Sequence, residues 1–244
     1  MRLNKYISET GLCSRREADR LIQQKRVTIN GRIAEIGTLV DENDEVHVDR
    51  QLVRARTKKG KRVTIYIALN KPVGITCTTE RHISGNIIDF VDHPERIFPI
   101  GRLDKESEGL ILLTNDGDIV NEILRVENKH EKEYVVTVDK PITDAFLSGM
   151  ARGVRIHNTK TLPCKITRIG KNGFRIVLTQ GLNRQIRLMC EAFDYHVVTL
   201  QRVRIMHIRL DRLKLGHWRN LTPIELKNLL PNPSPTQKNR AEKH

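Results

Sequence analysis

The residues best able to do chemistry lie in two short stretches far apart in the chain. One is Gly101-Arg102-Leu103-Asp104, which runs through Gly109 into Leu110-Ile111-Leu112-Leu113 and ends at Thr114-Asn115-Asp116-Gly117. The other is Gln180-Gly181-Leu182-Asn183-Arg184-Gln185-Ile186-Arg187. The first offers a carboxylate in a glycine-flanked loop, and the second an arginine on a helix. An ionised carboxylate is a nucleophile. A guanidinium within a few ångströms favours that charged form against desolvation. Taken alone, an Asp in such a loop is an ordinary turn residue, so its surroundings decide.

Those surroundings are basic. The 244 residues carry 43 Lys and Arg against 29 Asp and Glu, a formal charge of +14. Cations placed near phosphates release condensed counterions, so this excess points to a nucleic acid; the bland reading is a solvated basic surface. No apolar stretch nears the roughly 18 residues of a membrane span. The first residues lack the apolar core of a signal peptide. Cys13, Cys77, Cys164 and Cys190 form no CxxC pair and read as small hydrophobes in a reducing compartment. There is no HExxH, P-loop or GxGxxG. The expectation is a cytoplasmic, monomeric protein with no membrane association, no metal, no nucleotide and no other cofactor.

The length predicts one medium core plus a small module. In the first third, Leu3, Tyr6 and Ile7 recur at helical spacing, and Ser14-Arg15-Arg16-Glu17 reads as a capping box. Ala18, Leu21 and Ile22 form the apolar stripe of that second helix, leaving Arg15, Arg16 and Arg20 largely off it. Val27-Thr28-Ile29 before Asn30-Gly31 signals a hairpin, and Val46-His47-Val48 reads as a further strand. Guanidiniums near helix-start amides make a phosphate site. Residues 1–48 are read as this module, 49–62 as a basic linker and 231–244, with three prolines, as a disordered tail.

Residues 63–230 read as one α+β domain with mainly antiparallel strands. Val63, Ile65, Ile67 and Leu69 alternate into Asn70-Lys71-Pro72-Val73-Gly74, where a strand should end. Leu110–Leu113 reads as a buried strand, Ile119–Leu124 as a helix, and Tyr134, Val136 and Val138 as one face of a strand. Phe146, Leu147 and Met150 mark a helix. Ile166–Ile169 and Phe174–Leu178 flank Asn172-Gly173 as a hairpin. Ile186, Met189, Cys190 and Phe193 fall on one helical face. Strands follow at Val197–Val203 and Ile205–Leu210, and Thr222-Pro223-Ile224-Glu225 starts a last helix.

Two helices leading into a small hairpin-rich sheet resemble the RNA-binding domain named for small-subunit ribosomal protein S-four. The Asp104 stretch resembles the catalytic motif of the RsuA-like pseudouridine synthases. Lys71-Pro72-Val73-Gly74, Lys132-Glu133-Tyr134 and Asn183-Arg184-Gln185-Ile186-Arg187 match three further motifs of that family in the expected order. His130-Glu131-Lys132-Glu133-Tyr134, with the run from Gln180 to Met189, is most similar to the members acting on the ribosomal large subunit. Ser107 stands where threonine is common, and Leu188 where a second arginine is usual.

The resemblance implies an isomerase that converts a uridine of large-subunit ribosomal RNA to pseudouridine without a cofactor. It implies Asp104 as nucleophile, Arg187 as its ion-pair partner and Tyr134 against the target base. Arg15, Arg16, Arg20, Lys71, Arg102, Lys132, Asn183 and Arg184 are the expected RNA contacts, with Lys71 structural or phosphate-facing rather than catalytic. Chemistry on a base requires the nucleotide to leave its stack. The alternatives are a non-catalytic RNA-binding factor in ribosome assembly, or the same chemistry on small-subunit ribosomal RNA or transfer RNA.

Overall fold

The computed structural model describes residues 1–41, 43–54, 64–124 and 129–229. The chain divides into two compact units, Met1–Val63 and Thr64–His244. In the first, α1 (Leu3–Glu9) and α2 (Arg15–Gln23) precede β1 (Val27–Ile29), β2 (Arg32–Ile33), β3 (Val46–Val48) and β4 (Gln51–Val53). The sheet order is β2-β1-β3-β4. Asn30 and Gly31 both take positive φ, 49° and 78°, which turns β1 into β2 with the twist a two-residue hairpin needs. Ser14 caps α2 by accepting the Glu17 N–H at 3.1 Å. The Glu17 carboxylate takes Arg20 at 2.9 Å instead of reaching back to Ser14, so the hydrogen bonds show half of the expected capping box.

Leu3, Ile7, Ala18, Ile22, Val27 and Val46 make the core of this unit. Its sheet runs past residue 48, because β4 pairs with β3 and the Tyr6 hydroxyl donates to the Val53 carbonyl. The linker expected from Asp49 therefore begins with residues of the module itself. Its basic part, 55–62, and the tail 231–244 lie outside the described residues.

The second unit contains β5 (Tyr66–Lys71), α3 (Ile87–Val91), β6 (Phe98–Ile100), β7 (Glu108–Thr114), α4 (Asp118–Leu124), β8 (Lys132–Val138) and α5 (Asp144–Ala151). There follow β9 (Arg155–Ile156), β10 (Thr159–Lys160), β11 (Lys165–Arg168), β12 (Gly173–Leu178), α6 (Gln185–Glu191), β13 (Val197–Ile205), β14 (Ile208–Arg209), β15 (Trp218–Asn220) and α7 (Pro223–Leu229). One sheet runs β11-β12-β8-β13-β7-β5-β15, with β6 also on β7 and β14 on β13. Strands β7 and β13 are parallel, while the other strand pairs among the described residues are antiparallel. The α+β class read from the sequence holds.

This sheet is covered on both faces. Ile67, Leu69, Ile111 and Leu113 point into one core, and Tyr66, Ala68, Leu110 and Leu112 into the other. That period of two explains why β5 is buried along its whole length. Each such Leu or Ile contributes about 1.5–3 kcal/mol by leaving water.

Two expectations shift. The Asn172-Gly173 pair is not a two-residue turn: a wider loop closes with the Ile169 N–H on the Gly173 carbonyl, and Gly173 opens β12. The strands expected to part at residue 204 are one strand through Ile205, reversed at Met206, whose φ is 54°.

Candidate active site

Asp104 sits in the loop from β6 to β7. Gly101 enters that loop at φ 79°, where a Cβ would stand 2.8 Å from the Leu124 side chain. The Leu103 N–H donates to Cys77 Sγ at 3.4 Å, the Gly74 N–H to the Lys105 carbonyl at 2.8 Å, and the Ser107 N–H to the Asp104 carbonyl at 3.0 Å. These ties fix the backbone and leave the Asp104 side chain partly exposed. The loop borders a cleft of about 420 Å³, which also takes Tyr134 from β8 and Arg187 from α6. Arg102, Lys132, Asn183, Arg184 and Arg202 line it as well. Three distant motifs thus meet, together with an excess of cations.

Tyr134 is 8% exposed and belongs to the larger core while one part of it borders the cleft. Arg187, 9% exposed, donates through Nη2 to the Glu106 carbonyl at 3.1 Å and Ser107 Oγ at 3.4 Å, and through Nη1 to the Val197 carbonyl at 3.3 Å. Its Nε is buried without a partner. The ion pair expected between Arg187 and Asp104 does not form: the guanidinium bonds to the Glu106 and Val197 carbonyls and to Ser107 instead. The guanidinium is engaged one turn further along the same loop, on backbone oxygens and on the hydroxyl at 107. Leu188, where an arginine is usual, packs its apolar side chain against the core.

Of the two places expected for Lys71, structural or phosphate-facing, the geometry fits the structural one. Lys71 is fully buried, and its ammonium donates to the carbonyls of Pro72 and Ile75 at 2.8 and 2.9 Å. It caps the end of β5 and, in place of an exposed RNA contact, spends its ammonium on the backbone. Burial pushes its pKa down, with Arg202 adding to the effect and Cys77, Asp104 and Glu106 opposing it. Lys132 is likewise lowered, by desolvation first and by Arg202 second.

Arg184 is exposed at the cleft mouth, holds φ 50° as the residue before α6, and donates to Glu106 at 3.2 Å. The Glu106 carboxyl lies below the usual range: its own backbone N–H, Arg184 and Arg187 together outweigh desolvation. Asn183 and Arg102 are exposed. In the first unit Arg15, Arg16 and Arg20 stand exposed on α2, with Arg20 paired to Glu17.

Sequence reasoning missed Arg202. Its signal was there: on β13 it shares a face with buried Leu200, and a charge in an apolar register marks a paired or functional group.

The family model for RNA pseudouridylate synthase matches residues 65–192, and that for the S4 domain residues 1–46. The chain belongs to the RNA pseudouridylate synthase family and is an RNA pseudouridine synthase carrying an S4 domain. It is 57% identical over 229 residues to the dual-specificity RNA pseudouridine synthase RluF of Escherichia coli strain K12, covering 94% of this chain and 78% of that one. It is 32% identical to ribosomal large subunit pseudouridine synthase B of Bacillus subtilis, covering 93% and 95%. A crystal structure of a pseudouridylate synthase superposes with a TM-score of 0.69 at 30% identity, covering 94% of this chain and 99% of the other.

Proposed function

We propose that this enzyme isomerises a uridine in large-subunit ribosomal RNA, with Asp104 as nucleophile and the target nucleotide flipped into the cleft. The convergence of Asp104, Tyr134 and Arg187 on one cleft supports this most directly. The reaction breaks the bond from the ribose to ring N1, turns the base and joins the sugar to C5. The proton lost from C5 is balanced by the proton gained at N1, so nothing is oxidised and no group leaves.

Asp104 supplies the electron pair for attack on the sugar or the ring. Tyr134 packs against the base and is placed to help remove the C5 proton. Arg187 holds the loop through Glu106 and Ser107. Arg102, Asn183 and Arg184 at the mouth, with Lys132 beside them, meet the RNA backbone, and Arg15, Arg16 and Arg20 add a second phosphate surface. No helix among the described residues is long and apolar enough to cross a membrane. A monomer working in the cytoplasm, where ribosomal RNA is made in bacteria, is the matching setting.

The deciding measurement is tritium release from RNA labelled at uridine C5. Asp104→Asn should abolish release with RNA affinity within a few-fold of wild type. Salt-dependent binding without release by the wild type would favour a binding-only factor. The relatives named dual-specificity favour a second RNA as well. Comparing large-subunit, small-subunit and transfer RNA as substrates identifies it.

A further inference from the structure

Arg202 belongs to none of the motifs that pointed to the site, yet it is only 4% exposed, deeper than Arg187. Its Nε donates to the Leu110 carbonyl at 2.7 Å and its Nη1 to the Arg102 carbonyl at 3.3 Å. Those two carbonyls flank Asp104 in the chain, so one guanidinium spans the loop that carries the carboxylate. Its Nη2 is buried with no hydrogen-bond partner. Along β13, Arg202 stands in register with Tyr134 of β8 on one side and Gly109 of β7 on the other. The side chain lines the cleft beside Asp104 and Tyr134.

A buried charged donor without an acceptor is costly, so Nη2 calls for a partner that the folded chain itself does not supply. The acceptor follows from depth. Nucleotide phosphates stay near water, where Arg102 and Arg184 are exposed. The enclosed part of a flipped nucleotide is its base, and uracil presents two carbonyl oxygens. Resting on the enzyme reading above, we propose that Arg202 is a substrate-binding residue. Its guanidinium clamps the Asp104 loop through Leu110 and Arg102 and offers Nη2 to a ring carbonyl of the flipped uracil.

The test pairs a protein change with a substrate change. Arg202→Met and Arg202→Lys are assayed on RNA whose target uridine carries O2 or O4, or sulfur, a poorer acceptor, at either position. Arg202→Met should lower kcat by about 100-fold with KM little changed, as expected for lost positioning. In the wild type, one of the two sulfur substitutions should lower kcat/KM; in Arg202→Met the same substitution should add no further loss. Arg202→Lys should recover part of kcat.

An equal sulfur penalty in both proteins, or unchanged turnover in Arg202→Met, overturns the inference. If the variants do not fold, the Asp104→Asn protein bound to uridine RNA decides instead. Nη2 within hydrogen-bond distance of a ring carbonyl supports the assignment, and Nη2 facing only phosphate or protein removes it. Absence of wild-type turnover would remove the enzyme reading itself, which keeps the two failures apart.

Discussion

Gly109 and Arg202 oppose each other across the parallel strands β7 and β13, and a Cβ on Gly109 would stand 2.3 Å from the Arg202 carbonyl oxygen. Gly109 also holds φ 105°, where side chains are strained. Glycine is required there for the strand carrying Arg202 to close on the strand that follows Asp104. Gly109→Ala should cost at least about 2 kcal/mol in urea unfolding and most of the turnover. A variant as stable as the wild type would show that the strands have room to part.

Glu106 occupies the Arg184 guanidinium at the cleft mouth. Glu106→Gln should free it for a phosphate. RNA binding should tighten, and the slope of log K against log salt should steepen by about one. An unchanged slope would mean that Arg184 does not reach the RNA.

Lys71→Met separates a structural ammonium from an RNA contact. The carbonyls of Pro72 and Ile75 lose their donor, so stability should fall by about 1–3 kcal/mol with RNA affinity unaltered. The sign with pH follows from burial, which lowers the folded pKa below the ordinary 10.5. Between those two values the unfolded chain binds more protons, so wild-type stability gains from Lys71 as pH rises. That gain should be missing in the variant. A drop of one in the salt slope would instead put Lys71 on the RNA.

Glu225 joins α7 to the edge strand β15. Its carboxylate takes both Nη1 and Nη2 of Arg219, and it exchanges hydrogen bonds with Thr222. The Arg219 bond, helped by Thr222, brings its pKa down from 4.5 to about 2. A lowered acid stabilises the fold above its unfolded pKa and loses that contribution as pH falls through the folded one. Glu225→Gln should therefore be less stable by about 1–3 kcal/mol at pH 7. The difference should shrink between pH 4.5 and about 2. A gap that persists at the acid end would assign it to packing.

On α2, Arg15 and Arg16 stand exposed, while Arg20 is paired with Glu17. Arg15→Ala with Arg16→Ala should lower the salt slope by about two, and Arg20→Ala by less than one. Equal effects from all three would mean that RNA displaces Glu17.

Features set by local chemistry were legible in the sequence. The Asn30-Gly31 turn, the Ser14 and Thr222 caps and the apolar spacing of Ile186, Met189 and Cys190 each depend on residues within a few positions. The meeting of Asp104, Tyr134 and Arg187 was legible only through family motifs. What Arg187 holds was not, because its acceptors include the carbonyls of Glu106 and Val197, and a carbonyl leaves no mark on residue type. Which of its two expected places Lys71 takes was hidden for a related reason, since its acceptors are the carbonyls of Pro72 and Ile75. Strands as short as β4, β6 and β15 carry too few residues to show a period.

The bonds from Arg202 to Arg102 and Leu110 join positions 100 and 92 residues apart. Contacts of such sequence separation form late, after most of the chain is available. During synthesis the Asp104 loop emerges long before the arginine that braces it. A nascent chain stalled short of β13 therefore carries every residue of the carboxylate motif and still lacks the guanidinium that ties its loop and lines the cleft.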